Sequence, residues 1–175
     1  MLKRIAVALL MIFMVLSANA QEKYPVPSAN ANQLFYLQRT SNTNTIVCEI
    51  NYSKDGIVDE DDPVHVFWIR YQEHGQKEEL NYVQRKFAYG IKATLIGKDK
   101  YELHFVSYKK YPMFLKKGNN NKFNVYATIN KKEAILHRIF VKINGGSFWL
   151  PKVEYVELKG TDPATGKELL ERMKI

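Results

Sequence analysis

Cys48, the single cysteine of the chain, has the side chain best suited to covalent chemistry. Paired across the fold with His104 or His137, it would supply a thiolate nucleophile and its general base. Cys48 lies, however, in a stretch of alternating apolar residues, where a free cysteine behaves as a small apolar residue. The alternation therefore favours a buried structural thiol, and we predict no catalytic residue at this position.

Two further patterns could hold a metal ion. Asp55 and the run Asp59-Glu60-Asp61-Asp62 offer the hard oxygen ligands that Ca²⁺ prefers. The run lacks the D-x-D-x-D-G spacing and the distal glutamate of an EF-hand loop, which favours a solvated turn. The four histidines show no zinc-binding spacing. We therefore predict neither a metal site nor a cofactor.

The densest cluster of polar and aromatic side chains extends from Arg85 to Lys92. Charged groups, an amphipathic tyrosine and a glycine meet there at a predicted helix-to-strand junction, which can present them to an anionic ligand. The alternative interpretation is that this segment forms the C-terminal cap of a helix, with Tyr89 and Trp68 in the core. Our candidate ligand-binding residues are Arg85, Lys86, Tyr89 and Lys92, with Trp68 and Arg70 on a neighbouring strand.

The charge of the chain is uneven. The formal net charge is +8, and the segment from Arg85 to Lys142 holds 14 basic and 3 acidic residues. This excess favours anionic partners such as phospholipid headgroups, lipopolysaccharide or acidic glycans. Alternatively, the lysines lie on loops and edge strands, where they maintain solubility and prevent edge pairing.

Alternating apolar residues predict that strands position these groups. The faces Ile46/Cys48/Ile50 and Tyr101/Leu103/Phe105 are typical of half-buried strands, and turn signals such as Asp55-Gly56 separate such segments. Residues 64–71 are apolar on both faces, which predicts a central strand. Leu80, Val83 and Phe87 have helical spacing, which predicts one short helix over residues 78–87. The fold class is mainly β, an antiparallel sandwich or barrel of about eight or nine strands with this one helix.

The beginning of the chain is typical of a secretory signal peptide. Lys3 and Arg4 precede the apolar run from Ile5 to Leu16, and Ala18-Asn19-Ala20 forms a small-residue cleavage site. We predict a signal peptide over 1–20, a flexible leader over 21–32 and a single β-rich domain over 33–175. The protein should be exported to the periplasm or the medium. No transmembrane span and no nucleic-acid partner are then expected in the mature chain.

Three stretches carry a resemblance to a known family. They are the segments 44–51, 62–71 and 85–91, and a closing hairpin at Thr165-Gly166-Lys167 follows them. In this order they resemble a family of exported bacterial proteins that is described only as a domain of unknown function. The resemblance covers about residues 33–174 and implies one domain, without an activity, a ligand or a catalytic residue.

These observations favour one function and leave two others open. We predict an exported, non-enzymatic binding module whose ligand is a small molecule, a lipid or a glycan, and is anionic or amphipathic. A structural or assembly protein that joins an envelope protein through its sheet edges is the first alternative. A hydrolase is the second, although the sequence contains no G-x-S-x-G elbow and no phosphate loop.

Overall fold

The structure is a computed structural model that describes residues 24–118, 120–147 and 150–174. These residues form eleven strands and the short helix α1 (Tyr82–Phe87). The strands are β1 (Gln33–Arg39), β2 (Asn42–Ile50), β3 (Val64–Ile69), β4 (Lys77–Glu79), β5 (Ile91–Gly97), β6 (Lys100–Phe105), β7 (Tyr108–Lys117), β8 (Phe123–Ile129), β9 (Lys132–Gly146), β10 (Pro151–Thr161) and β11 (Glu168–Met173). The predicted mainly β fold with one short helix is confirmed.

Nine strands form one sheet in the order β4-β3-β2-β1-β9-β8-β7-β6-β5, and this sheet curls into a half-barrel. Strands β10 and β11 lie off this path, because β10 pairs with β9 and β11 pairs with β10. All the pairs are antiparallel except β1 with β9, which run parallel with Tyr36 opposite Arg138. Strand β9 therefore connects the two halves of the sheet and also carries the β10–β11 hairpin.

The inner face of the curled sheet holds the core. Phe35, Cys48, Leu103 and Leu136 are fully buried there, as the alternation of apolar residues predicts. On β2 the predicted inner face of Ile46, Cys48 and Ile50 is buried, but so are neighbours such as Thr45 on the opposite face. The middle of the sheet is thus covered on both sides.

Polar side chains cover part of the outer face. Gln38, Arg138, Glu157 and Arg172 form a connected group, which we call the outer-face network. Arg138 donates from Nε to Oε1 of Gln38 at 2.8 Å and lies 3.4 Å from Oε1 of Glu157, which also pairs with Arg172 at 2.7 Å. Every charged member therefore has a partner of opposite charge.

Residues 24–32, the second part of the predicted leader, form neither helix nor strand, and they lie against this outer face. Tyr24 packs edge-on against Phe140 with ring centroids 5.1 Å apart, and Pro27 is buried. The Pro25 carbonyl accepts a hydrogen bond of 2.6 Å from Gln38. The predicted signal peptide at residues 1–20 lies outside the described residues. Among the residues described, no helix has the length and apolarity needed to cross a bilayer.

Strand β3 lies next to the edge of the sheet, so the prediction of a central strand is wrong. Its inner residues, including Trp68, are buried in the core. On its outer side, Phe67 is covered by Lys77 of the edge strand β4, whose Nζ lies 3.6 Å from the ring centroid. A cation on an aromatic face, rather than a second layer, explains why this strand is apolar on both sides.

Helix α1 begins later than predicted, because Glu78 and Glu79 pair with β3 as part of β4. Asn81 caps the helix: its side chain accepts from the amide of Gln84, whose side chain accepts from the amide of Asn81. This capping box satisfies two amides that the first turn would leave unpaired.

Strand β7 was not predicted. Its lysine pairs, Lys109-Lys110 and Lys116-Lys117, belong to this inner strand rather than to a loop or an edge strand. Met113 and Leu115 point into the core, while neighbouring lysine side chains remain at the surface. Lysines within a strand are compatible with pairing because their ammonium groups extend into water.

Candidate functional site

The curled sheet encloses a cavity of about 430 Å³. Its lining is mostly apolar and comes from β1, from α1, from β6 and β7, and from β9 to β11. Arg39 is its one charged lining residue among the residues described. The lining residues are Leu37, Arg39, Val83, Phe87, Ala88, Tyr89, Phe105, Ser107, Tyr108, Tyr111, Met113, Ile139, Val141, Ile143, Pro151, Val153, Val156, Leu158 and Met173.

Helix α1 forms one wall of this cavity, although none of its residues is buried. Val83 and Phe87, spaced four residues apart, lie on the same side of the helix and line the cavity. They remain 39% and 55% exposed, although apolar side chains on the inner side of an element are usually buried. Their exposed surface faces open space that a bound molecule could fill.

Gly90 fixes the position of the residues that follow the helix. The amides of Ala88 and Tyr89 both donate to the Gln84 carbonyl, which ends the helix tightly. A Cβ atom at Gly90 would lie 1.9 Å from the Arg85 carbonyl oxygen, so only glycine fits without a backbone shift. This close turn directs the chain from α1 into β5 and leaves Tyr89 at the cavity wall.

Tyr89 connects the cavity to the core. Its ring packs edge-on against Trp68, with the ring centroids 5.1 Å apart. Burial raises the pKa of Tyr89 above its ordinary value, and the nearby Arg39 partly opposes this shift. The phenol is therefore neutral at physiological pH.

Arg39 is the most unusual residue of the cavity. Its guanidinium carbon lies 5.8 Å from the centroid of the Tyr89 ring, and its Nε is buried without a hydrogen-bond acceptor. Across the described segments, no carboxylate forms an ion pair with Arg39. An unpaired cation in apolar surroundings creates a preference for an anionic group.

Two hydroxyl groups of the lining are already engaged. Ser107 donates from Oγ to the Ala88 carbonyl at 2.6 Å, and the Tyr111 hydroxyl donates to the Thr128 carbonyl. Burial is the main cause that raises the pKa of Tyr111 to about 12. Both groups hold the walls together, whereas Arg39 keeps unused hydrogen-bonding capacity at its Nε.

Comparison with known proteins identifies the family. The chain matches the family described as a domain of unknown function, DUF4833, over residues 35–172. The chain belongs to this family. No curated protein and no solved structure matches it. The resemblance to a domain of unknown function is thus confirmed, and the function of this DUF4833 domain must be inferred from the site itself.

Among the six residues predicted to bind a ligand, the structure brings two together at the cavity. Tyr89 lines it, and Trp68 packs behind Tyr89. The four basic residues do not line it. Arg70 pairs with Glu73 and Glu78. Arg85 lies 3.7 Å from both Asp62 and Glu79. Lys86 donates to the Tyr82 hydroxyl, and Lys92 is exposed opposite His104. Binding of an anion by these four residues stays a prediction.

Arg39 was not singled out from the sequence of this DUF4833 domain, although a signal was present. In β1, Phe35, Leu37 and Arg39 follow the period of two that puts alternate residues on one face. An arginine that continues an otherwise apolar face indicates a cation directed into the interior. The position of Arg39 at the cavity depends on β9, because Val141 of β9 pairs with Arg39 and completes the cavity floor.

The other sequence candidates have ordinary surroundings. Cys48 is fully buried, and burial raises the pKa of its thiol, which disfavours a thiolate. His104 bonds to Glu102 at 2.8 Å and His137 to Thr161 at 2.7 Å. In the acidic run, Asp59 accepts from the amides of Asp61 and Asp62, as in a solvated turn, and no metal-binding group of three ligands occurs among the described residues.

Proposed function

We propose that this DUF4833 domain is a non-enzymatic binding module that holds the apolar part of a ligand inside the half-barrel. The observation that carries the proposal is the apolar cavity of about 430 Å³. Its volume falls within the roughly 300–1,000 Å³ of typical small-molecule sites, which are also mostly apolar with a few polar groups. The cavity floor lies on paired strands, so the site is preformed.

The exposed apolar side chains at the cavity support this proposal. Phe87, Val83 and Tyr108 are 55%, 39% and 40% exposed while lining it. A ligand that covered them would remove apolar surface from water, which is favourable by about 25 cal/mol per Å². These residues would therefore contribute directly to affinity.

The polar groups of the lining favour binding over catalysis. Ser107 and Tyr111 use their hydroxyls to bond backbone carbonyls, and Arg39 has no base or nucleophile among its described contacts. General acid–base chemistry needs a titratable group within hydrogen-bond reach of a reacting atom. A cation with an aromatic neighbour is instead suited to orient a ligand.

The proposal places the protein outside the cytoplasm, as its first twenty residues predict. The ligand would then be an amphipathic component of the envelope or its surroundings. Mass spectrometry of the N-terminus from native cells should find a chain that begins at Gln21. A chain that retains Met1 would refute the export part of the proposal and leave the binding part standing.

Displacement of a fluorescent probe tests the binding site. N-phenyl-1-naphthylamine is neutral and brightens in apolar surroundings, so it should bind the protein and gain fluorescence. Val153 lines the cavity, whereas its neighbour Glu154 is exposed on the same strand. Val153→Trp should therefore weaken probe binding at least about tenfold by filling the cavity, and Glu154→Trp should leave it unchanged.

Two results would contradict the proposal. One is the absence of probe binding by the folded parent protein. The other is an equal effect of Val153→Trp and Glu154→Trp, because the probe would then bind elsewhere. Circular dichroism of both variants shows whether each keeps its strand content, so a folding defect is not mistaken for a filled cavity.

A second candidate function, assembly through a sheet edge, has one observation in its favour. Strand β5 ends the sheet order, and its residues Leu95 and Ile96 are 51% and 43% exposed. An edge strand with apolar side chains can pair with another chain. If a second copy pairs there, sedimentation should show dimers for the parent and monomers for Leu95→Lys; monomers for both would exclude self-assembly.

A further inference from the structure

Arg39 gives the cavity a chemical preference that its apolar walls do not have. Its Nε is buried without an acceptor, and the remainder of its guanidinium approaches the Tyr89 ring rather than a carboxylate. A buried donor without an acceptor destabilises a fold by about 1–3 kcal/mol, and more when it is charged. An anion placed against Arg39 would remove that penalty, so the site is complementary to one.

We infer that the cavity binds a single-chain amphiphile that carries one carboxylate, with the carboxylate against Arg39 and the chain along the apolar lining. This inference rests on the proposed function, because it assigns a ligand class to the same cavity. Both ends of the ligand are then matched: the head to the guanidinium of Arg39, and the chain to residues such as Ile139 and Val156.

Charge balance favours a carboxylate over a phosphate. The described lining contains one cation and no second basic side chain, so it balances one negative charge. A phosphate monoester carries between about one and a half and two charges at neutral pH. A carboxylate carries one, and its two oxygens match the fork of N–H groups on a guanidinium.

Within the segments that the structure describes, no carboxylate of the protein competes for Arg39. Glu157, a nearly buried carboxylate near this part of the sheet, is engaged on the outer face by Arg138 and Arg172. Tyr89 stays neutral because burial raises its pKa. The guanidinium of Arg39 is therefore left for a group that enters from outside.

Two ligands that differ only in their heads test the inference. Dodecanoate and 1-dodecanol, each below its aggregation concentration, compete with N-phenyl-1-naphthylamine for the parent protein. Dodecanoate should bind at least about tenfold more tightly, since one charge-assisted hydrogen bond is enough for that factor. Arg39→Met should reduce this preference to about twofold or less.

Three controls complete the test. Lys54→Met removes an exposed cation outside the cavity and should preserve the preference. Arg39→Lys keeps the positive charge but loses the planar N–H donors of the guanidinium. This variant should retain part of the preference for dodecanoate. Dodecyl phosphate should bind the parent less tightly than dodecanoate.

Each contrary outcome has a distinct meaning. Equal binding of the acid and the alcohol by the parent, or a preference that persists undiminished in Arg39→Met, overturns the role of Arg39. Tighter binding of dodecyl phosphate overturns the assignment of a carboxylate. In these cases 1-dodecanol still binds and the proposed function stands. Failure of the probe and of both dodecyl ligands to bind overturns the proposed function itself.

Discussion

An arginine on the outer face of the sheet and an arginine on its inner face have opposite surroundings. Arg138 of β9 points to the outer face, where Gln38 and Glu157 contact it and its guanidinium lies 4.9 Å from the Phe140 ring centroid. Arg39 of the adjacent strand β1 points to the cavity and has an aromatic neighbour but no carboxylate. The two residues have the same chemistry and belong to strands that pair directly.

This difference separates a structural residue from a candidate functional one. Where the chain uses an arginine to join strands, it also supplies the counter-charge, because an unpaired buried charge is strongly destabilising. At the cavity the counter-charge is missing from the described residues around Arg39. The contrast predicts that the outer arginine determines stability, whereas the inner one determines ligand preference.

The outer-face network gives the largest expected effect. Glu157→Gln removes the carboxylate that Arg138 and Arg172 share, and leaves a half-buried guanidinium unbalanced. We expect the free energy of unfolding to fall by about 2 kcal/mol, less than for a fully buried pair because Arg172 is largely exposed. Urea unfolding at neutral pH measures this change.

Glu168→Gln is the matched control for that prediction. Glu168 forms an ion pair of 2.7 Å with Lys159, but its side chain is 64% exposed. An exposed pair contributes little, so we expect a change below about 0.5 kcal/mol. If Glu157→Gln costs no more than Glu168→Gln, the outer-face network is not structural.

Cys48 lies on the inner face and would gain a negative charge if it lost its proton. Burial raises the pKa of the folded thiol, so above pH 9.0, its ordinary pKa, only the unfolded chain releases the proton. The stabilising contribution is present below that pH and is lost as the pH rises. The free energy of unfolding should fall by up to about 1.4 kcal/mol per pH unit between pH 9 and 10.

Replacing the thiol shows how much of this pH dependence of the free energy of unfolding comes from Cys48. Cys48→Ala should unfold at lower urea concentration at every pH, because it leaves a small cavity, but its alkaline slope should be flatter than that of the parent. Parallel curves for the two proteins would mean that other groups, such as the buried tyrosines, cause the alkaline loss.

Arg39→Met should have a smaller effect on stability. It removes an unpaired charge, keeps an apolar side chain of similar length, and loses the contact with Tyr89. In the absence of ligand we expect the free energy of unfolding to stay within about 1 kcal/mol of the parent value. Arg138→Met, measured in the same urea experiment, should lose more. Equal losses would remove the distinction between the two faces.

The smallest effect is expected at the helical wall of the cavity. Asn81→Ala removes the capping box of α1, which normally contributes about 1 kcal/mol. Because α1 buries no residue, it can open without unfolding the sheet, and the global stability should fall by less than about 0.5 kcal/mol. Hydrogen exchange at the Gln84 amide should become faster. A global loss above 1 kcal/mol would show that α1 is part of the cooperative core.

Local patterns in the sequence predicted the local structure well. The alternation at Ile46 and Cys48 identified β2 and its buried face, and the Asp55-Gly56 turn has the positive φ of 73° that favours glycine. Strand β7 was missed because lysines and Pro112 hide the apolar positions Met113 and Leu115. The location of β3 was wrong because a cation–aromatic contact between strands leaves no periodic signal.

The site was predicted only in part, because its geometry depends on distant segments. Trp68 and Tyr89 were selected together and do contact each other. The basic residues were selected from their density along the chain, which does not reveal that Arg85 or Arg70 has an acidic neighbour. Arg39 acquires its role from β9, whose parallel pairing with β1 no local pattern indicates.

The parallel pairing of β1 with β9 also constrains the order in which the molecule can fold. Gln38 and Arg138, which bond to each other, are separated by 100 positions in the chain. During synthesis β1 can form a hairpin with β2, but its other side stays open until β9 has been made. Pairing of segments so far apart requires closure of a long loop, which slows folding to the millisecond-to-second range typical of β domains. We therefore expect the cavity floor, where Arg39 lies beside Val141, to be completed only after β9 has been made.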